Sequence, residues 1–148
     1  MKEDIGVASG LVRLSFLVQS VYSEVCATFD LTPQQAQLLC VLAESPKSSV
    51  NIGQIMHLEK SSISGLVDRV EKKGLVRRVA SKDDGRSIKV ELTRPGIRIA
   101  DAFHSATTKR LNETVSCMPK DVRTTFASIA GRIVEEHRVP AVFGDPDD

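Results

Sequence analysis

SSISGLVDRVEKKGLVRRVASKDDGRSIKVELT, residues 61–93, changes its hydrophobic period halfway along. In the first part Ile63, Leu66, Val67 and Val70 fall on one helical face, with Ser61 as the expected cap of a helix running to Lys73. Gly74 stands where a helix C-terminus takes a left-handed residue. The second part has period two. Leu75, Val76 and Val79 lead into Ser81-Lys82-Asp83-Asp84-Gly85, and beyond it Ile88, Val90 and Leu92 alternate with Ser87, Lys89 and Glu91. Alternation on both sides of Asp-Gly predicts a β-hairpin.

Upstream, Asn51 is read as the cap of a short helix, IGQIMHLE, with Ile52, Ile55 and Met56 facing inward. A tight break at Glu59-Lys60 separates it from the helix after Ser61, and two short helices across such a break form a helix-turn-helix. Thr32-Pro33 starts the helix before these, which stops near Ser45-Pro46. The first helix carries Val7, Leu11, Leu14, Val18, Val21 and Val25 as a stripe, widened by Leu17, Tyr22 and Phe29. Downstream, Thr93 caps a fifth helix striped by Ile99, Ala100, Phe103, Ala106, Thr107, Leu111 and Val115. After Met118-Pro119 a last helix carries Val122, Phe126, Ile129, Ile133 and Val134. The Pro/Gly/Asp-rich tail at 139–148 is expected to fray. A helix-turn-helix followed at once by a charged hairpin is a winged helix, so the fold class is mainly α with a small β-hairpin wing, in one 148-residue domain.

The charge is uneven. The formal net charge is +1, which taken alone argues against a polyanion partner. Residues 61–98, however, hold ten bases against five acids, a net +5, while 1–60 and 99–148 each carry −2. A compact basic patch steers a polyanion, and acidic flanks limit non-specific adhesion. The second helix of the pair is suited to a DNA major groove. Ser61, Ser62, Ser64 and Gly65 at its N-terminal end allow close approach, and free amides there attract phosphate. Arg69 on the same face can reach a guanine edge or a phosphate. Asp68 would repel phosphate and is expected to orient a neighbouring base. On the wing, Arg86 is suited to the narrow minor groove, with Lys82 on the backbone. Asp84 is expected to hold the Arg86 guanidinium in a bidentate pair and aim it.

SSISGLVDRVEKKGLVRR, the wing DDGRS and the close KVELTRPG together resemble the MarR family of bacterial transcriptional regulators. The family's wing Asp-x-Arg falls on Asp84 and Arg86, and its Gly-Leu-Val-x-Arg on Gly74, Leu75, Val76 and Arg78, which adds Arg78 to the expected DNA-binding residues. Gly85 departs from the pattern, since many members carry a second charged residue there. The resemblance implies a homodimer in which helices from both chain ends, 1–30 and 95–138, pair the subunits. Residues 32–93 would then present two winged helices to a pseudo-palindromic double-stranded operator. The broad apolar faces of helices one, five and six agree, because so short a chain cannot cover them alone. The resemblance also implies release from DNA by a small, often phenolic or anionic, amphipath. Its expected pocket involves Phe16, Gln19 and Leu39, with Arg13 as anion partner.

Other functions are weaker fits. Cys26, Cys40 and Cys117 are odd in number and widely spaced, which fits a reducing cytoplasm and no disulfide framework. Oxidant sensing is the alternative within the same fold, but Cys26 sits beside Glu24, Cys40 lies on an apolar stripe, and Cys117 is near a helix C-terminus. His57, His104 and His137 lack ligand spacing; His104 with Asp101, or His137 with Glu136, is the best zinc arrangement, and no metal is expected. No P-loop, GxGxxG, nucleophile elbow or paired catalytic carboxylates are present, so neither an enzyme nor a cofactor is expected. A winged-helix module that binds protein instead of DNA is disfavoured by the +5 segment. No apolar run is long enough to span a membrane, and the acids beside Lys2 argue against a signal peptide.

Overall fold

The computed structural model describes residues 4–143. The elements run α1 (Val7–Thr28), α2 (Pro33–Glu44), β1 (Lys47–Ser48), α3 (Ser49–Met56), α4 (Lys60–Lys72), β2 (Val76–Ala80), β3 (Ile88–Leu92), α5 (Arg94–Thr114) and α6 (Lys120–Glu136). Among the described residues, six helices and one small antiparallel sheet make the mainly α winged-helix architecture expected from residues 61–93. The sheet has the order β1-β3-β2. Its third strand went unread in the sequence because two residues, paired Lys47 to Val90 and Ser48 to Lys89, show no period.

Thr32 and Pro33 start α2 as expected. The Thr32 hydroxyl accepts from the Gln35 amide at 3.2 Å, and the Gln35 side chain accepts from the Thr32 amide at 3.1 Å. Two expected caps are corrected. Ser48, not Asn51, caps α3: its hydroxyl accepts from the Asn51 amide at 3.2 Å, so Asn51 lies inside the first turn. Glu59, not Ser61, occupies the N-cap position of α4, with no side-chain cap. His57 in a left-handed conformation (φ 54°) ends α3 and tightens the turn between the two helices.

α2 is the hub. Ala36, Leu38, Leu39, Val41 and Leu42 are buried with Ile52 of α3, Ile63, Leu66, Val67 and Val70 of α4, and Val90 of β3. Phe103 of α5, fully buried, meets Tyr22 and Phe29 edge-on with centroids 5.5 and 6.0 Å apart. α5 joins this core at a close crossing. Gly96 packs directly on Leu75, and a Cβ there would lie 1.9 Å from the Leu75 carbonyl oxygen. Thr93 secures the crossing, donating its amide to Leu75 O at 3.0 Å and its hydroxyl to Gly74 O at 2.6 Å. Gly74 turns the chain from α4 into β2 at φ +76°, a conformation a side chain would strain.

The stripes of the terminal helices are used unevenly. On α1 only Val21, Val25 and Cys26 are buried, whereas Val7, Leu11, Leu14 and Val18 are exposed. α6 buries none of its residues, and Val122, Phe126, Ile129, Ile133 and Val134 all stand open. The tail does not fray immediately after α6. Val142 packs against the core, and the Phe143 ring stacks on His104 with centroids 4.2 Å apart; residues 144–148 lie outside the described residues.

Candidate nucleic-acid interface

Burying Ile63, Leu66, Val67 and Val70 turns the rest of α4 outward. Ser61, Ser62, Ser64, Asp68 and Arg69 are exposed, and Gly65 is partly so. The first turn of α4 has no side-chain cap, which leaves its amides facing outward beside three serines. Arg69 folds back along the helix, and a Cβ on Gly65 would lie 3.3 Å from its Nη1. The lack of a side chain at 65 therefore gives the guanidinium room.

The wing is the β2–β3 hairpin, with Arg78 opposite Val90 and Ala80 opposite Ile88. Its tip is closed by backbone bonds from Ser81 N to Ser87 O at 2.8 Å and from Ser87 N to Asp84 O at 3.1 Å. Asp84 does not hold the Arg86 guanidinium as expected. Its Oδ1 accepts from the Arg86 amide at 3.0 Å, which fixes the turn and leaves the Arg86 side chain exposed. Two residues is the reach of an Asx turn, and that local bond takes the carboxylate.

The basic residues fall into two groups. Arg77 pairs across the sheet with Glu91 at 2.7 Å, and Arg78 is held by Asp68 at 2.7 Å and Glu71 at 2.8 Å. Asp68 thus does orient a neighbouring base. Among the described residues, Arg69, Lys82 and Arg86 form no ion pair within the chain. The helix and the wing therefore present cations that no ion pair among the described residues engages.

A concavity lies between α1 and α2. It has a volume of about 380 Å³, and its walls include Val18, Gln19, Tyr22, Gln37, Cys40 and Val142. Of the four residues expected in a ligand pocket, only Gln19 lines it. Pro33, Gln37 and Cys40 put one face of α2 on the cleft, and Leu39 lies off that face, fully buried in the core. Arg13 and Phe16 sit on the exposed N-terminal half of α1, before the cleft begins. Burial pushes the Cys40 thiol up to about 11 and raises Cys26 as well, the reverse of what an oxidant-sensing thiolate needs. Cys117 is exposed in the link between α5 and α6. Among the described residues, no three His, Cys, Asp or Glu side chains form a group able to hold a metal. No helix among them is long and apolar enough to cross a membrane.

Comparison with known proteins agrees with this geometry. A family model described as "MarR family" matches residues 29–87, the span from the end of α1 through the wing tip. The HTH-type transcriptional regulator PecS of Dickeya dadantii is 25% identical over 144 residues, covering 93% of this chain and 84% of PecS. Among solved structures, a MarR family protein from Bacillus stearothermophilus superposes with a TM-score of 0.82 at 21% identity, over 89% of this chain and 93% of that one. CouR from Rhodococcus jostii RHA1, solved bound to p-coumaroyl-CoA, gives a TM-score of 0.70 at 22% identity, over 83% and 87%. At these identities the two structures speak to the fold.

Proposed function

We propose that the chain is a transcriptional regulator of the MarR family, whose model matches residues 29–87, and that it binds a pseudo-palindromic DNA duplex as a homodimer. Its role is regulatory, not enzymatic, and its place is the cytoplasm. The observation that carries this reading is the division of the cations. Arginines on β2 are paired within the chain, whereas Arg69, Lys82 and Arg86, on the outward face of α4 and on the wing, are not. Ser61, Ser62, Ser64, Gly65 and Arg69 enter the major groove, and Arg86 reaches the flanking minor groove, positioned by the Asp84 turn with Lys82 on the backbone.

The subunits pair through residues 1–30 and 95–138, and residues 32–93 form the DNA-binding region. The exposed apolar residues of α1 and α6 support this division. Two recognition helices on one side of B-DNA sit one turn apart, roughly 10 base pairs. Repression relieved by a small amphipath is the regulatory mode. The cleft between α1 and α2 supports it, with an apolar wall at Val18, Tyr22 and Val142 and polar groups at Gln19, Ser23 and Gln37. CouR, solved with p-coumaroyl-CoA bound, lends the same support from a protein of this fold.

Selection of bound duplexes from a random pool tests binding and symmetry together. On the selected duplex, Arg86→Ala weakens binding about tenfold while the dimer stays folded. An unchanged footprint for that variant would remove the wing from the reading.

A further inference from the structure

We propose that Arg78 is a positioning residue, a clamp that fixes the wing to the recognition helix, and that it does not contact phosphate. The inference rests on the DNA-binding reading above and deepens it.

Arg78 lies on β2, and its guanidinium bridges two carboxylates of α4. Nη2 donates to Asp68 Oδ1 at 2.7 Å and Nη1 to Glu71 Oε1 at 2.8 Å, while the Arg78 backbone amide donates to Glu71 Oε2 at 3.3 Å. Asp68 and Glu71 are three residues apart, one turn of the same helix face, so a planar fork spans them. The three bonds close across the turn at Gly74 that joins α4 to β2. One positive charge facing two negative ones leaves the cluster with a net charge of −1, which repels phosphate. Arg77, next along the strand, has a single partner, Glu91. The arginine that would meet DNA as a phosphate contact is thus already engaged by two carboxylates of the recognition helix.

Exposed ion pairs contribute little to stability, so the consequence of this one lies in angle. The wing tip is about 15 Å beyond the clamp at ~3.3 Å per strand residue. A hinge of about 10° at Arg78 therefore moves Arg86 by about 3 Å, comparable to the whole length of a hydrogen bond. The recognition helix and the wing must engage adjacent grooves together, and the clamp joins one rigidly to the other.

Two variants read the two roles with opposite signs, on the duplex selected by the wild-type protein and on a random duplex. Asp68→Asn/Glu71→Gln raises the net charge by two and frees Arg78. The added charge tightens the random duplex in either role; a phosphate contact tightens the selected duplex at least as much, whereas a positioning role loses about tenfold in the ratio of selected to random binding. Arg78→Lys keeps the charge but loses the fork. A phosphate contact keeps its affinity, and a positioning residue falls to the level of Arg78→Ala, with flanking minor-groove protection lost from the footprint and central protection retained. An unchanged or higher selected-to-random ratio for the first variant, or wild-type binding by the second, overturns the inference. A wild-type protein that selects no duplex overturns the DNA-binding reading and the clamp with it, so the two failures are distinct.

Discussion

Replacing Gly96 by alanine sets helix propensity against close packing at the crossing where α5 meets the DNA-binding region. In a helix interior alanine is favoured over glycine by about 1 kcal/mol, so propensity alone predicts a gain. The crossing predicts a loss. The added Cβ would lie 1.9 Å from the Leu75 carbonyl oxygen, 2.9 Å from its carbon and 3.3 Å from its Cα. All three atoms are backbone, so no side chain can rotate away. Bringing the oxygen contact to about 3.0 Å, the shortest that real Cβ atoms show, needs a separation of more than 1 Å. That movement strains the Thr93 amide bond to the same oxygen (3.0 Å) and the Thr93 cap on Gly96 N (3.1 Å). Overpacking of this kind costs about 1–3 kcal/mol and each weakened bond about 1 kcal/mol. Against the propensity gain, the net destabilisation is about 3 kcal/mol, or roughly 6–12 °C in melting temperature. Urea unfolding at fixed protein concentration, at unchanged slope, measures it. Gly131→Ala on α6 is the control. A Cβ added there would meet nothing within 4 Å, and the position is across the helix from Val122, Phe126, Ile129 and Ile133. It should gain the propensity term. A Gly96→Ala protein as stable as the wild type, or more so, would refute the reasoning.

If α6 pairs subunits, Phe126→Asp or Ile133→Asp removes an apolar contact worth about 1.5–3 kcal/mol and raises the dimer dissociation constant at least tenfold; sedimentation at several concentrations reads it, and unchanged dissociation counts against α6. Arg69→Ala costs about 1–3 kcal/mol on the selected duplex and less on random DNA if the guanidinium reads a base. Equal losses on both duplexes make it a phosphate contact. The Cys40 thiol is raised by burial from 9.0 to about 11. Between those values the folded chain holds a proton that the unfolded chain releases, so stability falls as pH rises through that window. Cys40→Ala should lose that part of the alkaline slope, and wild-type Cys40 should alkylate far more slowly near neutral pH than exposed Cys117.

Long periodic features were legible from the sequence, and short or conditional ones were not. α2 with its Thr32 cap, the buried stripe of α4 and the hairpin about Asp-Gly rest on patterns several residues long. β1 is two residues whose only signal is a partner forty residues away. The cap of α3 misled because Ser48, Ser49 and Asn51 crowd its start, and that of α4 because the helix begins at Lys60, after Glu59 and ahead of the serines. Charge partners were the least legible. Asp84 and Arg86 are neighbours in sequence, yet the carboxylate takes the backbone amide. Arg78 and Asp68 are ten residues apart, and their pairing exists only because Gly74 folds β2 back along α4. Leu39 shows the same limit on an apolar residue: the stripe says that it is inward but not whether inward means cleft or core. Val142 and Phe143 had no periodicity to give them away, and their docking depends on the aromatic surface of Tyr22 and His104.

The placement of α2 explains how a small ligand could govern a surface it does not touch. One face of α2, with Pro33, Gln37 and Cys40, lines the cleft, and Leu38, Val41 and Leu42 on other faces pack among the residues of α3, α4 and β3. No soft layer separates cleft from recognition helix, and a close-packed core transmits displacement instead of absorbing it. The opposite wall, α1, is tied to α5 by the Tyr22–Phe103 contact and by the Arg110–Glu24 ion pair at 2.5 Å. If a ligand occupies the cleft as proposed, it would press against a braced α1 and displace α2 together with α3, α4 and the wing. In a dimer the two recognition helices must keep a spacing of about 34 Å, so a shift of an ångström or two in each subunit spoils both half-sites at once. Couplings of this kind run to about 1–3 kcal/mol, five- to 150-fold in affinity, without any unfolding. On the proposed reading the Arg78 bridge would matter most at this step, because helix and wing would then leave their grooves together.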